Sequence, residues 1–141
     1  MHKNVVLALL VGFLSTGLAQ SESGGASTVP ENLQLKLEKG VGGRTIAPWG
    51  DGVPAEFEDF MSNDNDAKPL SCALFRMNKG EPLVYDYEYD DIKYVLEGSF
   101  TVSDGNSEVT AVAGDVLFFP AGSTITFTSD EYGLGWACGN R

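Results

Sequence analysis

The sequence predicts an all-β domain. From Leu70 onward, seven short strand candidates occupy about seventy residues, and turn signals separate them. No stretch shows a convincing 3.6-residue apolar period of an amphipathic helix. The chain has 141 residues, of which 43% are hydrophobic, so it is long and apolar enough for one globular domain with a real core. We therefore expect an antiparallel sandwich or barrel.

The first twenty residues have the layout of a secretory signal peptide. A short basic start is followed by an apolar run from Val5 to Leu14 and by small residues at Gly17 and Ala19. The apolar run is too short for a confident membrane-spanning helix. We expect residues 1–20 to be removed, residues 21–30 to form a flexible linker, residues 31–141 to form the domain, and the mature protein to be secreted.

The strand candidates follow in order along the mature chain. Residues 33–37 (LQLKL) alternate apolar and polar side chains as a half-buried strand does, and residues 55–62 (AEFEDFMS) suit either a strand or a short helix. The turn at Asp104, Gly105 and Asn106 predicts a hairpin, because Gly and Asn readily adopt positive φ. The seven candidates that form the sheet are residues 72–77, 83–89, 92–103, 107–112, 115–120, 123–129 and 134–138.

Charge and cysteine content limit the partners of this domain. Removal of residues 1–20 takes away one base, Lys3, and leaves eight Lys and Arg against twenty Asp and Glu, so the net charge changes from −11 to −12. Such an acidic surface repels nucleic acid and anionic lipid, and we expect neither as a partner. Cys72 and Cys138 would meet an oxidising compartment after secretion. They can form a disulfide there or stay two buried free thiols, and the sequence leaves both alternatives open.

Residues 94–127, YVLEGSFTVSDGNSEVTAVAGDVLFFPAGSTITF, resemble the cupin family of jelly-roll barrels. Gly114, Pro120 and Gly122 match the second cupin motif, and Gly98 with Asp91 seven positions earlier matches the first. The acid-rich stretch before Gly98 is most similar to the ethanolamine-utilisation EutQ-like group of cupins. The resemblance implies a single-domain cupin jelly-roll barrel.

The same resemblance shows which cupin features are missing. The histidine positions of the two motifs carry Val84, Asp86 and Ile125, and the chain's one histidine, His2, lies in the predicted signal peptide. A tightly held transition metal on imidazole ligands is therefore not expected, and we predict no cofactor other than a possible hard divalent cation.

The motif register places a set of candidate side chains in the barrel interior. It turns Asp86 and, by alternation, Glu88 toward the cavity, with Asp91 and Lys93 beside them on the next strand. Three uses stay open: carboxylate and lysine acid–base catalysis, a Ca²⁺, Mg²⁺ or Mn²⁺ site on the three acids, or a solvated cluster that only balances Lys93. The cavity-lining residues predicted with them are Val84, Phe119, Ile125 and Trp136, helped by Phe118 and Phe127.

The opposite face of the same strand carries Tyr85, Tyr87 and Tyr89. We expect this stripe to form a homodimer contact, because each ring offers a large apolar area with a polar tip. The predicted ligand is a small organic molecule. Two functions follow: an enzyme of the lyase, isomerase or cyclase type, or a non-catalytic module that binds a small molecule or a cation.

The EutQ-like resemblance also suggests an acetate-kinase-like activity. Phosphoryl transfer from a nucleotide needs a phosphate-binding loop or a basic patch, and the sequence shows neither. We therefore do not expect this activity.

Overall fold

The computed structural model describes residues 29, 30 and 33–141 and contains one antiparallel β-fold. The predicted signal peptide and most of the predicted linker lie outside the described residues. The described part contains a 3₁₀ turn at Val41–Gly43, and none of its helical segments is long and apolar enough to cross a membrane. The strands are β1 Ala55–Ser62, β2 Ser71–Asn78, β3 Leu83–Asp86, β4 Asp91–Ser103, β5 Glu108–Val112, β6 Val116–Phe119, β7 Thr124–Thr128 and β8 Tyr132–Gly139.

The long strand β4 joins the two sheets of the barrel. Its first half pairs with β6 and β8, and its second half, from Ser99, pairs with β5 and β7. The strand changes sheets at Gly98, where φ is 64°, and a β-bulge just before it, between Val95 and Glu97, interrupts the pairing with β8. A Cβ at this position would lie 2.1 Å from the carbonyl oxygen of Tyr132, so the bend requires glycine.

The main core lies between the two sheets. Alternate residues of the strands point inward, as the two-residue period of a strand dictates. Phe100 and Phe127 are almost completely buried, and Phe75 contacts both rings at centroid distances of 5.6 and 5.3 Å. Burial of each such side chain contributes roughly 1.5–3 kcal/mol. The barrel interior is thus packed with aromatic residues.

A smaller cluster covers the outside of β2 and β8. Leu74, Leu134 and Ile46 are buried there, and Trp136 and Phe60 pack against them. Trp136 and Leu134 have the same parity in β8, so both point away from the barrel interior. The prediction that Trp136 lines the cavity is therefore wrong.

Most strand predictions are confirmed, and residues 55–62 form a strand rather than a helix. Two predictions differ from the structure. Residues 33–37 form no strand, and Leu35 is 99% exposed, so their alternation serves no buried face. The third strand ends at Asp86 rather than at residue 89, and the chain turns before β4.

Cys72 and Cys138 form a disulfide. They are direct partners in the antiparallel pairing of β2 with β8, and their Cα atoms are 4.1 Å apart. Adjacent strands bring the two residues together although 66 positions separate them in the sequence. The bridge links the two strands that carry the outer cluster.

Candidate active site

The stretch from residue 83 to residue 89 turns its tyrosines into the barrel. Tyr87 is 3% exposed and Leu83 is buried, whereas Val84, one position away, is 59% exposed. Tyr85 and Tyr89 pack partly buried against the same core. The predicted orientation is therefore reversed, and the stripe is not available as an outer dimer contact. Burial of a tyrosine ring gains apolar area, whereas burial of an unpaired carboxylate is costly, so the rings take the interior.

Asp86 and Glu88 consequently lie on the outside. Both are exposed, and Asp86 accepts a hydrogen bond from the hydroxyl of Thr124 on β7. The prediction that these two acids and Val84 face the cavity is wrong. Motif spacing relative to Gly98 assigns Asp86 to one of the cupin histidine positions. The chain between β3 and β4 follows a different path, which spacing in the sequence does not reveal.

Asp91 and Lys93 do face the interior, as predicted. They occupy alternate positions at the start of β4, and their side chains are only 3% and 5% exposed. The Lys93 ammonium donates a hydrogen bond to Asp91 Oδ2 and forms an ion pair with it. Gly139 on β8 makes room for this arrangement, because a Cβ there would lie 3.0 Å from Asp91 Oδ1 and 2.8 Å from the Tyr89 ring.

Aromatic rings surround the Lys93 ammonium. Its Nζ atom lies within cation–π range of four rings, which stabilise a desolvated cation. The distances from Nζ to the ring centroids are 5.3 Å for Phe75, 5.5 Å for Tyr87, 5.4 Å for Phe119 and 6.0 Å for Phe127. We call this arrangement of Lys93, Asp91 and the four rings the inner cage.

Burial changes the acidity of the groups in the cage. Desolvation lowers the pKa of Lys93, while the neighbouring Asp91 carboxylate opposes this shift. Desolvation also raises the pKa of Tyr87, and the negative charge of Asp91 adds to that increase. The pKa of Tyr89 is raised by burial and by its hydrogen bond with Tyr85. The cage therefore holds a lysine that gives up its proton more easily than usual and a tyrosine, Tyr87, that keeps its own, and the neighbouring Tyr89 keeps its proton as well.

The mouth of the cage is lined by partly buried aromatic residues. The Tyr85 and Tyr89 hydroxyls are 3.2 Å apart and share a hydrogen bond. Trp49 packs edge-on against Tyr85 and Phe57, at centroid distances of 5.3 Å for both. The cavity behind these rings has a volume of about 10 Å³, space for about one water molecule.

A second ion pair, which no sequence pattern predicts, lies at the rim of the cage. Arg141 donates hydrogen bonds from both of its terminal nitrogens to the two carboxylate oxygens of Asp59, one of them at 2.9 Å. Its guanidinium lies over the rings of Phe57 and Tyr89, 4.9 and 5.6 Å from their centroids. The contact with Asp59 raises the pKa of Arg141. No local motif signals this pair, because 82 positions separate its members.

Phe119 and Ile125 are buried, and they also line a second, larger cavity. Its volume is about 250 Å³. Phe119 stacks on Tyr87 at a centroid distance of 5.1 Å and so separates this cavity from the inner cage. Phe118, which the sequence analysis assigned to the barrel filling, is 59% exposed, so that assignment is wrong. The other lining residues are Val102, Ser103, Asp104, Ser107, Val109, Leu117, Phe118, Pro120 and Ser123.

The residues present do not fit the usual cupin metal site. Val84 and Asp86 point outward and Ile125 is apolar, so the motif positions present no converging donors. Asp91 is inside and is separated from Asp86 and Glu88, which are outside. In residues 29–30 and 33–141, no three His, Cys, Asp or Glu side chains are placed to hold a metal ion.

Comparisons of this chain with a family model and with a curated protein point to the same family. Residues 54–134 match the family model of ethanolamine utilisation protein EutQ. Acetate kinase EutQ of Clostridioides difficile (strain 630) is 32% identical over 63 residues, which make up 45% of this chain and 40% of that protein. The chain thus matches about two fifths of the length of this curated relative.

Solved structures show the same fold. The EutQ protein of Clostridium difficile superposes with a TM-score of 0.54 and 24% identity over 61% of both chains. A putative ethanolamine utilisation protein of Salmonella typhimurium LT2 gives a TM-score of 0.54 and 23% identity over 60% of this chain and 68% of its own. A cupin superfamily protein of Desulfitobacterium hafniense gives a TM-score of 0.51 and 18% identity over 60% of this chain and 74% of its own. These likenesses confirm the cupin fold.

Proposed function

The chain belongs to the EutQ family, and from this premise we propose that it acts on a small organic molecule by acid–base chemistry at Lys93 and Asp91. The reaction is of the lyase, isomerase or cyclase type. The observation that carries the proposal is the burial of an ion-paired lysine, 4% exposed, among four aromatic rings. Ionisable groups with shifted pKa values that are built into an enclosed site favour catalysis.

Each polar group of the cage has a distinct role in this proposal. Lys93 exchanges the proton with the substrate, because its lowered pKa brings it nearer to the working pH. Asp91 holds the ammonium in place through its Oδ2 atom and stabilises the protonated state. Tyr87 keeps its proton, since burial raises its pKa, and can therefore donate a hydrogen bond to a substrate oxygen.

A substrate needs more room than the closed cage provides. A cavity of about 10 Å³ does not hold an organic molecule, so binding requires the mouth to open. Trp49 is the candidate for this movement, because it is 37% exposed and lies on a segment joined to β1 by a short bridge at Pro48 and Glu56. Trp136 is on the other face of the barrel wall, so a Trp136→Phe variant leaves Trp49 as a fluorescent reporter of the mouth.

Phosphoryl transfer is not part of the proposal. Acetate kinase is the name of a relative of which this chain matches 40%, and a nucleotide is far larger than the inner cavity. The cage also carries as many acidic as basic groups, which offers little stabilisation to a transferring phosphoryl group.

Solvent exchange tests the proposal even while the product is unidentified. A reaction of this type begins by moving a proton, so the protein should catalyse C–H to C–D exchange in a suitable small carbonyl or carboxylic compound in D₂O. We expect NMR of a panel of such compounds to reveal exchange with the wild type. The Asp91→Asn/Lys93→Met double variant should lose it.

The matched control is the double variant Asp86→Asn/Glu88→Gln, which removes two carboxylates from the outer face. Its exchange rate should equal that of the wild type. Exchange that survives loss of the inner pair, in a variant shown by circular dichroism to be folded, would contradict the proposal. So would exchange that depends on the outer acids.

The second cavity favours a second candidate function, a non-catalytic binding module. Its volume of about 250 Å³ approaches that of small-molecule sites, and apolar residues and serine hydroxyls line it. A Val109→Trp variant would fill this space from its half-exposed rim. Ligand binding without solvent exchange, lost in Val109→Trp and kept in the inner double variant, would favour the binding module over the enzyme.

Secretion remains a prediction from the sequence.

The predicted homodimer needs a contact surface other than the tyrosine stripe, because the stripe faces the barrel interior. We propose the outer face of β4 and β6, where Ile92, Tyr94, Leu96, Val116 and Phe118 are all at least 38% exposed. Ile92 pairs with Phe118 and Tyr94 with Val116, so the patch is continuous. A second copy suits it, because this uncharged patch lets two chains of net charge −11 approach. Light scattering should give a dimer for the wild type and a monomer for Phe118→Asp.

A further inference from the structure

Arg141 and Asp59 lie at the rim of the inner cage, beside two rings of its mouth. We propose that they form a carboxylate-binding subsite for the substrate at the entrance of the cage. This inference rests on the proposed function of the cage and adds the substrate class: a small molecule that carries a carboxylate next to its reacting centre. In the closed structure, the Asp59 side chain occupies the place of the substrate carboxylate.

The geometry of the pair is that of carboxylate recognition. The guanidinium offers two parallel N–H donors, and both oxygens of one carboxylate accept them. This forked arrangement is specific for a planar group with two oxygens, which an amide or an alcohol does not reproduce. The site therefore already binds a carboxylate of the protein in the way it would bind one from a ligand.

The position of the guanidinium connects it to the cage. Phe57 and Tyr89, the two rings beneath it, also line the inner cavity. Arg141 and Lys93 are close enough for the charge of Arg141 to influence the acidity of Lys93. A ligand whose carboxylate sits on Arg141 thus directs its remaining atoms toward the Lys93 ammonium.

The backbone fixes Arg141 at this rim. The Asn140 backbone N–H donates to the Asp90 carbonyl, and the Asp90 backbone N–H donates to Asn140 Oδ1. Ser71 Oγ donates to the Arg141 carbonyl at 3.2 Å. Loss of Asp59 would therefore leave the guanidinium over the same two rings.

The exchange of Asp59 for a ligand carboxylate is feasible. The Asp59 side chain is 48% exposed, so it can rotate into water with its charge solvated. The Arg141 side chain is 20% exposed and stays stacked on the rings. Once Asp59 has rotated away, the Arg141 guanidinium charge is uncompensated and attracts an anion at short range, although the chain carries a net charge of −11.

Pyruvate and pyruvamide are the probes that test the subsite. The two compounds have almost the same size and the same ketone. Pyruvate carries a carboxylate where pyruvamide carries an amide. Binding is followed by the fluorescence of Trp49 in the Trp136→Phe background and by NMR shifts of the Tyr89 ring. We expect pyruvate to bind at least about tenfold more tightly than pyruvamide, the difference that about 1.4 kcal/mol of a charge-assisted bidentate contact produces.

Three variants sharpen the result. Arg141→Gln should abolish the preference for pyruvate, so that the two affinities become about equal, while pyruvamide binding stays unchanged. Arg141→Lys should keep part of the preference, because the charge remains and the fork is lost. Asp59→Asn should raise pyruvate affinity several-fold, because the competing carboxylate is gone.

The outcomes separate this inference from the proposed function. Equal affinities for the two probes, or a preference that survives Arg141→Gln, would overturn the subsite and leave the cage as a small-molecule site. Absence of any Trp49 or Tyr89 response to both probes at high millimolar concentration would overturn the subsite and the proposed ligand binding together.

Discussion

Two pairs of charged side chains lie within eight residues of one another and have opposite environments. Asp86 and Glu88 are exposed, whereas Asp91 and Lys93 are 2% and 4% exposed. The outer acids are solvated, and the inner pair is compensated by one direct ion pair and four aromatic rings. Similar residues in the same stretch therefore have different chemistry, and the path of the chain between β3 and β4 decides which of them can be functional.

The largest expected effect separates the two pairs by stability. Lys93→Met leaves the Asp91 carboxylate buried without its partner, which should lower the free energy of unfolding by about 3–5 kcal/mol. Asp86→Asn removes a surface charge and should change it by less than about 0.5 kcal/mol. Urea denaturation of the two variants measures both values. Equal losses would contradict the distinction between inner and outer acids.

The double variant Asp91→Asn/Lys93→Met controls for the origin of that loss. With both charges removed, no buried charge lacks a partner, and most of the stability should return. A double variant as unstable as Lys93→Met would indicate that packing of the lysine stem, rather than the ion pair, carries the effect.

The disulfide should give the next largest effect, and it belongs to the outer side of the comparison. Replacement of Cys72 and Cys138 by serine frees a loop of 66 residues in the unfolded chain and should cost about 2–4 kcal/mol. Thermal unfolding with and without reductant provides the same comparison on the wild type. The NMR signals of the cage and of the Tyr89 ring at its mouth should be unchanged below the transition. A change in these signals would show that the disulfide shapes the inner site.

The inner cage should also dominate the alkaline pH dependence of stability. The folded state holds Lys93 with a pKa below its ordinary 10.5, so the unfolded chain binds more protons and the contribution of Lys93 to stability rises with pH up to that value. Tyr87 and Tyr89 have pKa values above their ordinary 10.0 in the folded state, so their contribution to stability falls as pH rises above 10.0.

Urea denaturation at intervals from about pH 7 to 11 measures this profile. The rise should disappear in the double variant Asp91→Asn/Lys93→Met, and the fall should shrink in Tyr87→Phe. A wild-type profile identical to that of the double variant would mean that Lys93 titrates as a solvated lysine.

The smallest expected effect comes from the outer face. Glu88→Gln changes one exposed carboxylate and should alter stability by less than about 0.5 kcal/mol, with no change in ligand binding at Trp49. Fluorescence titration with pyruvate measures the binding. A loss of affinity in Glu88→Gln would return this acid to the functional site and blur the comparison.

The fold was largely predictable from the sequence, because strands and turns are specified locally. Gly98, Gly114 and Gly122 have positive φ in the structure, and these are the glycines that carried the cupin resemblance. Asp91 was found through the cupin resemblance, whose motif register places it inside, and Lys93 was added because a regular strand fixes which residues share a face. The pattern failed at residues 33–37, where alternation alone does not show that any partner strand exists.

The candidate site was only partly predictable, for two physical reasons. The orientation of Asp86 and the tyrosines depends on the turn between β3 and β4, and a shift of one residue reverses every side chain. Arg141 and Trp49 reach the cage through tertiary packing from distant parts of the chain, which no local pattern encodes. The one sequence signal that favours the observed orientation is the free energy of burial, because a tyrosine ring is less costly to bury than an unpaired carboxylate.

The central claim is that Lys93 is a buried, ion-paired amine whose acidity the cage changes. NMR titration of the lysine side-chain signals tests it most directly, with Lys93 assigned by its absence from the double variant Asp91→Asn/Lys93→Met. We predict that Lys93 loses its proton below the ordinary lysine pKa of 10.5. Titration of Lys93 at that ordinary value would contradict the account.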